Sequence, residues 1–116
     1  MRTISAIVEG VALLAGVIAC RAAGADAAMV QQKIQAGALV VDVRTPAEFA
    51  AGAYPGASNI PLDQTERRLA DFGDRRRAIV VYCRSGNRSA QAKVILEKNG
   101  FSDVTNGGAL KDMPHR

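Results

Sequence analysis

The chain has 116 residues, of which 48% are hydrophobic and 4% aromatic, and its formal net charge is +4. This length and composition indicate one small α/β domain with an aliphatic core, and they exclude a disordered chain. The positive charges are scattered and no aromatic stacking platform accompanies them, so we expect small anions, and no nucleic acid, as partners.

The N-terminal segment differs in composition from the rest of the chain. Residues 11–19 are apolar, follow Arg2 and lead into a run of small residues, a pattern typical of a bacterial export signal. The apolar segment is shorter than the roughly 20 residues that a membrane-spanning helix needs, and Glu9 interrupts it. We therefore expect no stable membrane span.

Two routes of processing are compatible with this segment. The sequence Ala25-Asp26-Ala27 resembles a signal-peptidase site, and cleavage there would remove residues 1–27 and release a periplasmic domain of residues 28–116. Alternatively, a lipoprotein signal up to residue 19 would leave Cys20 as a lipid anchor. We favour release, and a cytoplasmic protein with an unusual N-terminal helix is a third interpretation.

The first part of the domain predicts a helix, a strand and a second helix. Asp26 is placed to cap a helix that ends near Gly37. Residues 38–43 form a run that is apolar up to Asp42 and is typical of a buried parallel strand. The sequence Thr45-Pro46-Ala47-Glu48 has the form of a capping box with Pro at the first helical position, so we expect a short helix to about Ala51.

The middle of the chain continues this alternation. Residues 58–61 predict a brief extended piece, whose Pro confines it to the edge or end of a sheet. A second apparent capping box at residues 63–66 predicts a helix to about Phe72. Residues 78–82 are again apolar and mostly β-branched, which indicates another buried strand.

The last part of the chain predicts one more helix and a weak strand. The helix should cover residues 89–99 and bury a side that includes Ala90 and Val94. Residues 104–105 indicate a short strand, and residues 106–108, Asn-Gly-Gly, a tight turn. Strands that alternate with helices predict a parallel α/β sheet, which binds ligands at the carboxyl ends of its strands.

The most informative segment is Cys83-Arg84-Ser85-Gly86-Asn87-Arg88-Ser89, a cationic loop between a buried strand and a helix. The amide groups and dipole at the start of the helix add partial positive charge to that of Arg84 and Arg88. A thiol in these surroundings ionises more readily than a free Cys and reacts as the thiolate. The alternative is an inert buried thiol. We predict that Cys83 is a nucleophile and that the same donors receive an anionic substrate.

The numbers of Cys and His residues limit the chemistry further. If Cys20 is removed or lipidated, Cys83 is the one thiol of the domain and no internal disulfide can form. Two Cys and the single His115 have no metal-ligand spacing, so we expect neither a metal nor another cofactor. Because His115 is next to the last residue, we do not expect it to act as a base.

Two motifs make the chain similar to the rhodanese sulfurtransferases in their exported, single-domain form. The first begins with Val41-Asp42-Val43-Arg44 and ends with Asn59-Ile60-Pro61, and the second runs from Val80 to Ser89. The resemblance covers about residues 29–110 and implies a parallel five-stranded sheet flanked by helices. It also implies a persulfide cycle, in which a Cys takes a sulfane sulfur from a donor such as thiosulfate and passes it to cyanide or a thiol.

The same resemblance implies roles for individual residues. Cys83 corresponds to the sulfur-accepting nucleophile. Asp42 and Arg44 are expected to support the loop and the pocket, and we expect Arg44 to pair with Glu48. The cradle of the persulfide and of the leaving sulfite is formed by Arg84, Ser85, Gly86, Asn87, Arg88 and Ser89.

Two other functions use a Cys in a comparable loop. Cys-based phosphatases and arsenate reductases resemble C-x5-R, whereas four residues separate Cys83 from Arg88. The shorter ring of amides suits a single sulfur better than a tetrahedral oxyanion. A persulfide relay module, which hands sulfur to a protein partner, needs the same Cys and stays open as an alternative.

Overall fold

The strands Leu39–Asp42 (β1), Ser58–Asn59 (β2), Ile79–Cys83 (β3) and Val104–Ala109 (β4) form one parallel sheet in the spatial order β2-β1-β3-β4. They belong to a computed structural model that describes residues 26–115. The predicted α/β class with a parallel sheet is confirmed. The prediction of five strands is wrong for the described part of the chain, in which four segments pair as strands. The first element described there is a helix that begins immediately after Asp26.

The predicted export signal, Cys20 and the lipoprotein alternative lie outside the described residues. Of the proposed cleavage site, Asp26 and Ala27 are described, and they cap and begin the first helix. No helix within residues 26–115 is long and apolar enough to cross a membrane.

Both predicted helices of the first part are confirmed, together with their caps. Helix α1 covers Ala27–Gln35, and the Asp26 carboxylate accepts a hydrogen bond from the Ala28 amide at 3.3 Å. Helix α2 covers Pro46–Ala51 and has the reciprocal capping box of Thr45 and Glu48. Helix α2 therefore holds Glu48 in a fixed orientation just after β1.

The second capping box is not formed, and the predicted helix to Phe72 is wrong. The segments Leu62–Gln64 and Glu66–Phe72 are 3₁₀ turns, with a non-helical break at Arg68. The hydroxyl of the buried Thr65 donates to the Pro61 carbonyl at 3.3 Å. Because this local bond favours a tight turn over a regular helical start, the segment folds as short irregular pieces.

Helix α3 covers Asn87–Lys98, and its buried side differs from the predicted one. The buried residues are Ser89, Ala92 and Leu96, whereas Ala90 is exposed and Val94 is 54% exposed. The loop before the helix turns Ser89 toward the sheet, and residues three and seven positions later share that side. The position of Ser89 thus sets the orientation of the whole helix.

The core has two halves, one on each face of the sheet. Successive side chains of β3 alternate between them, so Val81 and Cys83 face α3 whereas Val80 and Tyr82 face α1. All five residues of β3 are buried. The alternation delivers Cys83 to the face covered by α3, at the carboxyl end of a central strand.

Strand β4 contains a bulge where a tight turn was predicted. Val81 is opposite Asn106 but Tyr82 is opposite Gly108, so Gly107 is the extra residue. A side chain at Gly107 would place its Cβ only 2.8 Å from Met113 Sδ. The prediction of a turn at residues 106–108 is therefore wrong, and the bulge instead directs Asn106 toward the Cys83 loop.

Candidate active site

Cys83 is fully buried at the end of β3, where the chain leaves the sheet and enters α3. The turn between them requires Gly86, which has φ +95 and lies so close to β4 that an added Cβ would be 3.4 Å from Gly108 Cα. A residue with a side chain would be strained in this left-handed conformation. Gly86 therefore allows the loop to fold back over the sulfur.

Hydrogen-bond donors of the loop and helix surround the Cys83 sulfur. The Gly86 amide donates to Sγ at 3.0 Å and the Ser89 amide at 3.4 Å, and the Ser89 Oγ lies 3.4 Å away. Burial raises the pKa of the Cys83 thiol, but hydrogen bonds from the Ser89 side chain and from the Ser89, Ser85 and Gly86 amides outweigh it, so the pKa is lowered. The geometry favours a thiolate, as the sequence predicts.

Asn106 connects the bulge of β4 to this loop. Its Oδ1 accepts hydrogen bonds from Ser89 Oγ at 2.7 Å and from the Gly108 amide at 2.9 Å, and its amide group donates to the Gly86 carbonyl at 3.2 Å. Sequence reasoning missed Asn106 because it assigned this residue to a turn. Three contacts from one side chain hold both Ser89 and Gly86 in place around the sulfur.

Arg88 forms an ion pair with Glu48. Its guanidinium donates to Oε1 at 2.8 Å and to Oε2 at 3.1 Å. The hydrogen bond from Arg88, followed by that from the Thr45 amide, lowers the pKa of Glu48 to about 2. The expected pairing of Arg44 with Glu48 is thus wrong, because Arg88 occupies both carboxylate oxygens.

Arg44 instead pairs with Asp42, which is completely buried. The Arg44 side chain donates from Nε at 2.9 Å and from Nη2 at 2.6 Å to this carboxylate, and Nη2 also reaches the Gly52 carbonyl at 2.8 Å. The Tyr82 hydroxyl donates to Asp42 Oδ2 at 2.9 Å and accepts from the Tyr54 amide. This network ties β1, β3 and the segment after α2 together.

The two ionisable partners of Asp42, Tyr82 and Arg44, both have raised pKa values. Burial, together with the hydrogen bond to Asp42, raises the pKa of Tyr82 to about 12. The hydrogen bond to Asp42 raises the pKa of Arg44 despite its burial. The phenol is therefore neutral and the guanidinium charged at ordinary pH, so both can donate to the carboxylate.

The other predicted loop residues face solvent. Arg84, Ser85 and Asn87 are exposed, and Ser85 Oγ accepts a weak hydrogen bond from the Asn87 amide at 3.4 Å. Beside the loop lies an open groove of about 620 Å³. It is lined by Arg44, Glu48, Ala51, Gly52, Arg84, Leu110 and Lys111. Of the predicted cradle, Gly86 and Ser89 contact the sulfur, whereas Arg84 lines this groove.

Comparison with protein families identifies the domain. A family model described as a rhodanese-like domain matches residues 26–108. The chain belongs to the rhodanese-like family. The resemblance found in the sequence is thereby confirmed, and the match covers all four strands of this rhodanese-like domain except the last residue of β4.

Individual relatives have sulfurtransferase names. The domain is 40% identical over 74 residues to the thiosulfate sulfurtransferase PspE of Escherichia coli K12, an alignment that covers 63% of this chain and 71% of that protein. It is 43% identical over 74 residues to a sulfurtransferase of Allochromatium vinosum, covering 62% and 68% of the two chains. These relatives support a sulfurtransferase function for this rhodanese-like domain.

Solved structures show the same fold. The human single-domain sulfurtransferase TSTD1 superposes with a TM-score of 0.70 at 28% identity, covering 79% of this chain and 95% of that one. A rhodanese with anions from E. coli has a TM-score of 0.66 at 37% identity, covering 69% and 95%. The rhodanese-like fold of this chain is therefore shown by both sequence and structure.

Proposed function

We propose that the domain is a thiosulfate sulfurtransferase that acts through a persulfide on Cys83. The thiolate attacks the sulfane sulfur of thiosulfate, a new S–S bond forms, and the old S–S bond breaks with its electron pair leaving on sulfite. Cyanide or a thiolate then takes the outer sulfur, and the electron pair of the persulfide bond returns to Cys83. Charge balances in both steps, and neither step needs an oxidant or a reductant.

The observation that carries this proposal is the ring of donors around the buried sulfur. The Gly86 and Ser89 amides point at Sγ and would stabilise the thiolate that each half-reaction starts from or regenerates. The names of the E. coli and A. vinosum relatives support the same chemistry. Arg84, exposed at the groove, is assigned the attraction of the anionic donor.

The ion pair of Arg88 argues against the phosphatase alternative. A phosphatase loop needs its Arg directed at the oxyanion, but here both guanidinium contacts are to Glu48. The loop is also one residue shorter than C-x5-R. A sulfane sulfur needs fewer donors than a phosphate, and the two amides at Sγ supply them.

The decisive experiment is a thiocyanate assay with thiosulfate and cyanide. We expect turnover by the wild type and by Cys20→Ser, and none by Cys83→Ser. After incubation with thiosulfate alone, mass spectrometry should find one added sulfur on the peptide that contains Cys83. Absence of thiocyanate from the wild type, or equal activity of Cys83→Ser, would exclude the proposal.

We also propose that the protein is exported to the periplasm, on the strength of the apolar segment at residues 11–19. Cell fractionation of the full chain, with the mature N-terminus read by mass spectrometry, tests this directly. A mature chain that begins near residue 28 supports release, whereas one that begins with a lipidated Cys20 supports the anchored alternative. An intact N-terminus in the cytoplasm would refute export.

A further inference from the structure

The Arg88–Glu48 pair removes a positive charge from the space beside Cys83. Two parallel hydrogen bonds of 2.8 and 3.1 Å join the guanidinium and the carboxylate, and their side chains are 32% and 28% exposed. Such a bidentate contact is the strongest form of ion pair for an Arg, and it restricts the direction of the guanidinium. Arg88, in the first turn of α3, is thus neutralised by Glu48 of α2.

The carboxylate of Glu48 is also held in place by Thr45, at the start of α2. Its Oε1 accepts hydrogen bonds from the Thr45 amide at 2.9 Å and from the Thr45 hydroxyl at 3.1 Å. The Arg44 side chain fixes the end of α2 through the Gly52 carbonyl. Glu48 is therefore a preorganised acceptor that determines where Arg88 points, rather than a mobile side chain that follows it.

The Arg88–Glu48 pair reduces the positive charge that an approaching anion encounters. Within residues 26–115, Arg84 lines the groove without an ion pair. Arg44 is paired with Asp42, Arg88 with Glu48, and the exposed Lys111 with Asp112. Glu48 lines the same groove, so the carboxylate that neutralises Arg88 stands where an anion would enter. Thiosulfate and sulfite are both dianions, so this arrangement weakens the binding of the donor and of the first product alike.

We propose that Glu48 is a positioning residue that keeps Arg88 away from the bound anion and so promotes the release of sulfite. This inference rests on the proposed sulfurtransferase function. When the thiosulfate S–S bond breaks, sulfite carries away the bonding electron pair as a dianion, next to the newly formed persulfide anion. A free Arg88 would retain this product, and Glu48 prevents that by occupying both guanidinium contacts.

Glu48→Gln tests the proposal with little disturbance of α2, because Gln also serves in a capping box. We expect the KM for thiosulfate and the inhibition constant of sulfite to fall by about threefold each, the range of a partly exposed ion pair. We expect kcat to fall as sulfite release slows. Glu97→Gln makes the same change of charge in the Lys93–Glu97 pair of α3 and should leave all three constants unchanged.

A direct measurement of anion binding tests this inference separately from the proposed function. Calorimetry of thiosulfate and sulfite with Cys83→Ser, with and without Glu48→Gln, measures anion affinity without turnover. Tighter binding in the double variant supports the role of Glu48. Unchanged or weaker anion binding refutes the role of Glu48, even if the wild type produces thiocyanate. A wild type that makes no thiocyanate refutes the sulfurtransferase function, and the binding measurements still test the role of Glu48.

Discussion

Removing the Ser89 hydroxyl should make the Cys83 thiolate harder to form. Two amide donors and the Ser89 hydroxyl lie within 3.4 Å of Sγ, and Ser89→Ala removes the hydroxyl while leaving the Gly86 and Ser89 amides. Asn106 Oδ1 keeps its hydrogen bond from the Gly108 amide, so the change leaves this acceptor with a partner. The variant therefore isolates the contribution of one hydroxyl to the thiolate.

The size of the effect follows from the geometry of that hydroxyl. A hydrogen bond to a charged group contributes about 1.5–3 kcal/mol. The single proton of Ser89 is shared with Asn106 Oδ1 at 2.7 Å, so we expect less than this range, about 0.5–1.5 kcal/mol. Such a loss corresponds to roughly a two- to tenfold smaller ionisation constant of the thiol.

The assay is the rate of alkylation of Cys83 by a small reagent as a function of pH. Cys83→Ser supplies the background from Cys20, and Ser85→Ala is the matched control, since Ser85 Oγ contacts the Asn87 amide and not the sulfur. The curve of Ser89→Ala should move to higher pH and that of Ser85→Ala should stay. If both variants alkylate like the wild type, the assigned contribution of the hydroxyl is wrong.

Three further predictions concern stability. Asp42→Asn should destabilise the domain by about 3–5 kcal/mol in urea unfolding, because it leaves the buried Arg44 without its counter-charge, and an unchanged midpoint would contradict this. Gly107→Ala should cost about 1–3 kcal/mol in the same assay, since the new Cβ would lie 2.8 Å from Met113 Sδ. The pKa of Cys83 is lowered by folding, so its thiolate stabilises the fold fully above the unfolded thiol pKa and loses this contribution as pH falls through the folded pKa. The unfolding midpoint of the wild type minus that of Cys83→Ala should therefore grow with rising pH, and a constant difference would refute the shift.

The elements that the sequence predicts well are those determined by local patterns. The Asp26 cap and the capping box of Thr45 and Glu48 depend on residues at most three positions apart, and both form as predicted. The apolar runs of β1 and β3 depend on burial on both faces of a parallel sheet, and that signal is strong. The position of Cys83 follows from the same pattern.

Several of the features that it misses depend on long-range contacts. Glu48 and Arg88 are 40 positions apart, and nothing near either residue indicates that they meet. At the bulge, Gly107 packs too closely against Met113 and Val80 to have a side chain, which the tripeptide Asn-Gly-Gly alone does not reveal. The Asp42–Arg44 pair could have been predicted from the sequence, because residues two positions apart in an extended chain share a side.

The complete burial of Cys83 gives the two half-reactions different steric limits. The outer sulfur of a persulfide lies about 2 Å beyond Sγ, so loading moves the reactive atom outward by one bond length. A donor must reach the recessed Sγ and has to be slender, whereas an acceptor needs to touch only the projecting sulfur and can be bulkier. Alkylation of the loaded and unloaded domain with reagents of increasing width would reveal this difference, with the free thiol excluding reagents that the persulfide still admits.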